Sequence, residues 1–182
     1  AKGTGQRVSG ETCTHYLTTT KEVLDNPDFN EAAKFVCSPA LRDREDCEAL
    51  WRALSDGLLT AVSSDHCGID VAELKQAGRN DFTQIPNGSP GAGDRLHMVW
   101  TEGVCTGKLT RQKFVDVIAT QPAKINGIYP RKGTLAVGSD ADVVIFDPNY
   151  EGTVHLADNP NGVDYNLYEG RCLLYTSDAA DD

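Results

Sequence analysis

No apolar run in this chain approaches the ~18 residues that cross a bilayer, which excludes a transmembrane helix. Basic residues are scarce. Seventeen Lys and Arg stand against 27 Asp and Glu, a formal net charge of −10. That balance lacks the electrostatic footprint of a nucleic-acid partner. The six cysteines, at 13, 37, 47, 67, 105 and 172, include no Cys-x-x-Cys pair. A zinc-thiolate site, which wants closely spaced thiolates, is therefore not expected. The expectation is reduced thiols in a cytoplasmic protein, several of them serving as small core hydrophobes. No Gly-x-Ser-x-Gly elbow and no Walker-type phosphate loop occur. Internal repeats, low-complexity tracts and a signal-peptide pattern are also missing.

What is present is ordinary globular composition, 40% hydrophobic and 24% charged. Val8–Cys13 predicts a short strand. Asp43 predicts a helix N-cap, with Glu45 and Asp46 in the first turn and Cys47, Leu50, Trp51 and Leu54 on one apolar stripe. Gly57 is placed to end that helix. The run Leu58-Leu59-Thr60-Ala61-Val62-Ser63-Ser64 predicts a buried strand that delivers Asp65-His66-Cys67. Residues 69–87 predict a long irregular loop with some helix. Leu96, Val99, Trp100, Gly103 and Val104 follow helical spacing. Thr110 caps a further helix through Phe114, Val115 and Ile118, and Pro122 begins a short one that stops at Gly127. Helix feeding into buried strand is the alternation of an α/β wall. After Pro130 the composition turns to glycines and short β-rich runs such as Val143–Phe146, which places a domain boundary near residues 127–132.

The most informative stretch is Asp65 at the exit of its strand. A carboxylate there is how a (β/α)8 barrel presents a metal ligand or proton shuttle at its catalytic face. It is followed by Asp81-Phe82-Thr83-Gln84-Ile85-Pro86-Asn87-Gly88, by Asp94-Arg95-Leu96, and by Gly133-Thr134-Leu135-Ala136-Val137-Gly138-Ser139-Asp140-Ala141-Asp142. In that order and spacing the chain resembles the dihydropyrimidinase/hydantoinase branch of the amidohydrolase superfamily, over roughly Gln6 to Gly170.

The resemblance implies an α/β fold: the C-terminal part of a (β/α)8 barrel over residues 1–130, and part of a β-sandwich domain over 131–171. A barrel takes ~250 residues, so the chain is expected to be a C-terminal fragment. Residues 172–182 are similar to translated sequencing-adapter read-through and are expected to be a non-native tail. The resemblance further implies metal-dependent opening of dihydropyrimidine or hydantoin rings to N-carbamoyl amino acids. It implies two zinc ions bridged by a carbamylated lysine that this chain does not contain, and a homotetramer acting on a small cyclic amide, without nucleic acid or membrane. Asp65 would be both metal ligand and proton shuttle. Ser38 in Cys37-Ser38-Pro39-Ala40-Leu41-Arg42, and Asn87, would hold the substrate ring.

Each of these residues also has a plainer reading. A lone Asp commonly caps a turn, Ser before Pro is a turn residue, and Asn-Gly is a generic turn signal. His66, on the opposite side of an extended chain from Asp65, reads as packing. Cys13 with His15 could form a thiol–base pair but reads as coincidence. Asp94 reads as a cap or an ion partner of Arg95. Trp51 and Trp100 read as core. Two other functions fit the same segments. A metal-free adaptor of this fold typically lacks the aspartate and has Glu in place of Asn87. An allantoinase or dihydroorotase does not usually carry the Asp-Phe-Thr-x-Ile-Pro-Asn-Gly run. Ala40, where a second proline is usual, and Gly68-Ile69, where an aromatic is usual, are departures from the pattern. With Asp65 the sole member of the metal set, the polypeptide by itself is expected to be inactive and poorly folded.

Overall fold

The computed structural model describes residues 2–173. Its first strand, β1 (Glu11–Cys13), runs directly into a short helix, α1 (Thr14–Thr18). A second short helix, α2 (Phe29–Ala33), and the long helix α3 (Arg44–Ser55) follow, and the chain then returns in strand β2 (Ala61–Ser63). The strands pair in parallel, Glu11 with Ala61 and Cys13 with Ser63. Thr60 sets this register. Its amide and hydroxyl both donate to the Gly10 carbonyl, and its hydroxyl accepts from the Gly10 amide at 3.2 Å. Parallel neighbours joined through helix are the repeating unit of α/β folds. The strand expected over 58–64 is thus shorter than the apolar run. Leu58 is 63% exposed and stays in the turn that leaves α3.

Helix α3 forms as its sequence requires. The Asp46 carboxylate accepts from the Asp43 amide at 3.2 Å, satisfying a donor at the helix start. Cys47, Trp51 and Leu54 are buried on one face. Gly57 adopts φ 74°, a conformation that favours glycine, and ends the helix. Trp51 also donates its indole N–H to the Leu17 carbonyl at 3.0 Å, which fixes α3 against α1.

Two helical rods complete the scaffold. In the first, α4 (Arg95–Val99) continues through a π-turn over Trp100–Val104. In the second, α5 (Arg111–Val115), a π-turn over Asp116–Thr120 and α6 (Gln121–Ile125) form one rod. The Gln121 amide reaches back to Asp116 in an i→i−5 bond just before Pro122. That shift of register accommodates a proline that would otherwise clash within a helix. Thr110 caps the rod by accepting from the Lys113 amide at 3.1 Å. The main apolar cluster gathers Leu17, Trp51, Leu54, Val62, Val99 and Trp100 with residues of the second rod. Gly103 is required there: a Cβ would sit 2.8 Å from the Trp51 ring.

Residues 131–150 carry little regular structure. The strand expected at Val143–Phe146 does not form. Among the described residues no segment pairs with it, and Val143, Val144 and Ile145 are exposed. Phe146 alone turns inward, 4.8 Å from the Trp100 ring. Two short antiparallel strands follow, β3 (Gly152–Thr153) and β4 (Cys172–Leu173). Residues 163–168 then lie back against the earlier part of the chain, where Tyr165, Leu167 and Tyr168 bury with Val71 and Met98. Cys172 and Leu173, assigned to the expected tail, pair in β4; residues 174–182 lie outside the described residues.

Candidate functional site

Asp65 stands two residues past the C-terminal end of β2, exposed, with φ 47°. Among the described residues it is the one non-glycine with positive φ. Asp tolerates this left-handed conformation better than most residues, but at a cost of order 1 kcal/mol. Asp65 lines an open concavity with Glu11, Cys13, Tyr16, Pro39 and Ser63.

Two side-chain contacts tie the floor of this concavity together. Tyr16 donates its hydroxyl to the Pro39 carbonyl at 2.8 Å, and burial pushes the phenol's pKa up. The Cys13 thiol lies 3.2 Å from the Ser63 hydroxyl, and burial raises its pKa above the ordinary thiol value. That is the opposite of an activated nucleophile, and the Cys13–His15 pair is not formed. The buried His15 ring instead lies tilted against Tyr16, centroids 4.1 Å apart, with Nε2 unpartnered among the described residues. Burial lowers its pKa, and the nearby Asp65 charge opposes that only in part.

Ser38 and Asn87 are exposed and stand outside the lining of this concavity, each in its own loop. Backbone hydrogen bonds nevertheless join the three segments. The Gly88 amide donates to the Val36 carbonyl at 3.0 Å, tying the Asn87 turn to the loop that leads to Ser38. The Cys67 amide donates to the Ser89 carbonyl at 2.9 Å, and the Gly91 amide to His66 Nδ1 at 3.3 Å. His66 and Ser89 form an isolated parallel bridge. The packing role expected for His66 is this tie. Gly88 has φ 135°, and a Cβ there would meet the Cys67 Cβ at 2.4 Å, so only glycine brings the Asn87 turn this close to the Asp65 loop.

Two residues have roles that differ from the sequence reading or were missed by it. Asp94 stands at the N-cap position of α4, one of its two expected readings, but its side chain makes no capping hydrogen bond and does not pair with Arg95. Its buried carboxylate accepts from Asn159 at 2.6 Å and from Asn166 at 3.2 Å, while Arg95 donates to the Val62 carbonyl at 2.8 Å. Asparagines 65 or more positions away leave no local trace that would predict the partnership. Lys75, fully buried at the centre of the loop network, was not singled out by sequence; a lysine in a polar loop normally reads as solvated.

Among the described residues no group of three or more His, Cys, Asp or Glu side chains could hold a metal ion. The donor set present fits one ligand of a metal centre, Asp65, and not a complete site.

Comparison with known proteins places the chain in a family. A model of the amidohydrolase family matches residues 4–171. A D-hydantoinase from Ralstonia pickettii is 49% identical over 170 residues, covering 93% of this chain and 37% of that protein. The crystal structure of dihydropyrimidinase from Brevibacillus agri NCHU1002 superposes with a TM-score of 0.91 at 45% identity, over 94% of this chain and 37% of that one. An L-hydantoinase (dihydropyrimidinase) from Arthrobacter aurescens gives a TM-score of 0.83 at 33% identity, with the same coverage. The chain therefore spans a little over a third of the length of these relatives.

Proposed function

Since the chain belongs to the amidohydrolase family, we propose that the full-length protein carrying it hydrolyses the cyclic amide bond of dihydropyrimidines or hydantoins, giving N-carbamoyl amino acids. The observation that carries the reading is Asp65: a carboxylate in strained left-handed backbone at the end of a parallel strand, whose neighbour Cys67 is hydrogen-bonded to the Asn87 loop, which is in turn tied to the Ser38 loop. A barrel's catalytic groups sit at the C-terminal ends of its strands. The relatives' names, D-hydantoinase and dihydropyrimidinase, support the substrate class.

In this reading residues 1–130 are the C-terminal part of the barrel and 131–171 part of a β-sandwich domain. Asp65 would be one ligand of a binuclear zinc centre whose other ligands, a carbamylated lysine among them, come from outside this chain. When bound, such metals lower the pKa of water and polarise a carbonyl. Asp65 takes a proton from the attacking water and delivers it to the departing ring nitrogen, general acid–base work at a single carboxylate. Ser38 holds the amide edge of the ring through its hydroxyl. Asn87 presents backbone groups to the ring from a turn that glycine lets approach closely. The enzyme is a cytoplasmic homotetramer in this account.

Metal removal is the test. The full-length protein, dialysed against a chelator, loses ring opening on dihydrouracil and hydantoin, and regains it on addition of Zn²⁺. Undiminished turnover after complete removal of metal would refute the zinc reading.

A further inference from the structure

We propose that Lys75 is a positioning residue for the substrate, its buried ammonium joining the Ser38 and Asn87 loops into one cradle; the inference rests on the ring-opening function proposed above. Lys75 has no accessible surface. Its Nζ donates to the Ala33 carbonyl at 2.6 Å, the Val36 carbonyl at 3.3 Å and the Lys34 carbonyl at 3.5 Å. An ammonium has three donors, and all three are directed into the segment that ends at Ser38. No carboxylate pairs with it among the described residues; the Tyr165 ring lies 5.9 Å away and the thiols of Cys37 and Cys67 are the neighbouring titratable groups.

Those carbonyls are also where the other loop attaches. Val36 accepts from the Gly88 amide, directly after Asn87. Lys34 accepts from the Ser89 hydroxyl at 2.7 Å and from the Tyr165 hydroxyl at 3.3 Å. Lys75 thus sits at the node where the two substrate loops meet, and Ser89 connects that node through Cys67 to the Asp65 loop.

An uncompensated buried ammonium is expensive, and an apolar side chain would fill the space at lower cost. Burial accordingly lowers its pKa to about 8. A charge retained in such a place is explained by what it aligns: three carbonyls that converge only if a multiple donor holds them. Each carbonyl keeps another donor when Lys75 is removed, since Ala33 also accepts from the Val36 amide at 3.3 Å. Replacement therefore loosens the loops without orphaning buried acceptors.

The test is steady-state kinetics of the metal-loaded full-length protein as wild type, Lys75→Met and Lys75→Gln. The Met variant is expected to raise KM for dihydrouracil or hydantoin about tenfold, with kcat within about threefold and the thermal midpoint within a few degrees. Gln, which retains an NH2 donor pair, falls between the two, and it carries the test if the Met variant does not fold. Amide exchange over 33–38 and 87–91 quickens in the same order. Unchanged KM in folded variants, or KM and kcat failing together with thermal stability, overturns the positioning role. A wild type without ring-opening activity overturns the functional reading itself, and the positioning role with it.

Discussion

At the scale of single residues the site is a matter of backbone geometry as much as of side-chain identity. Asp65 holds φ 47°. Asn shares its tolerance of that conformation and β-branched residues do not. Asp65→Asn is therefore expected to leave the thermal midpoint of the full-length protein unchanged, whereas Asp65→Val lowers stability by about 1–3 kcal/mol; comparison of the two melts checks this. His15 gives a pH dependence. Its folded pKa lies below the unfolded value of about 6.5. Protons therefore bind more tightly to the unfolded state, and stability present above pH 6.5 is lost as pH falls from there through the lowered folded value. Wild type should lose its advantage over His15→Gln across that window, as followed by urea unfolding at several pH values. At this scale Asp65 and the close Asn87–Gly88 turn were legible, because strand exit and Asn-Gly are local signals. Lys75 and the Asn partners of Asp94 were not, because distant loops supply their environments.

At the scale of elements, strong periodicity carried through, and of the expected strands β1 and β2 pair whereas Val143–Phe146 does not. Helix α3 matches its cap, stripe and terminating glycine. The rods after Arg95 and Arg111 follow the predicted helical spacing, with π-turns that apolar periodicity does not signal. Val143–Phe146 reads as a strand from its β-branched residues, yet a strand exists only with a partner, and none pairs with it among the described residues. Docking of 154–168 onto the helices depends on Asp94, which gathers the amides of Asn159 and Asn166. Asp94→Ala leaves the buried Asn166 amide and the half-buried Asn159 amide without this acceptor. It should cost about 1–3 kcal/mol and open 154–168 to limited proteolysis before the rest of the chain; simultaneous cleavage everywhere would contradict that assignment.

At the scale of the molecule, the described residues hold a two-stranded parallel sheet and two apolar clusters, with Leu135, Val137, Val144 and Ile145 exposed. Parallel strands are stable when both faces and edges are covered. Residues 1–182 alone are therefore expected to melt without a cooperative transition and to bind hydrophobic dyes; a sharp two-state melt would contradict this. The family was legible because the Asp65, Asn87 and Gly133–Asp142 motifs keep their order along the chain, and the amidohydrolase match over residues 4–171 covers all of them. The measurement that tests the central claim most directly is ring opening of hydantoin by the metal-loaded full-length protein, wild type beside Asp65→Asn. The account predicts turnover by wild type and a loss of about 10²–10⁴-fold in the variant, with folding intact. Equal turnover by both proteins would show that Asp65 carries no chemistry.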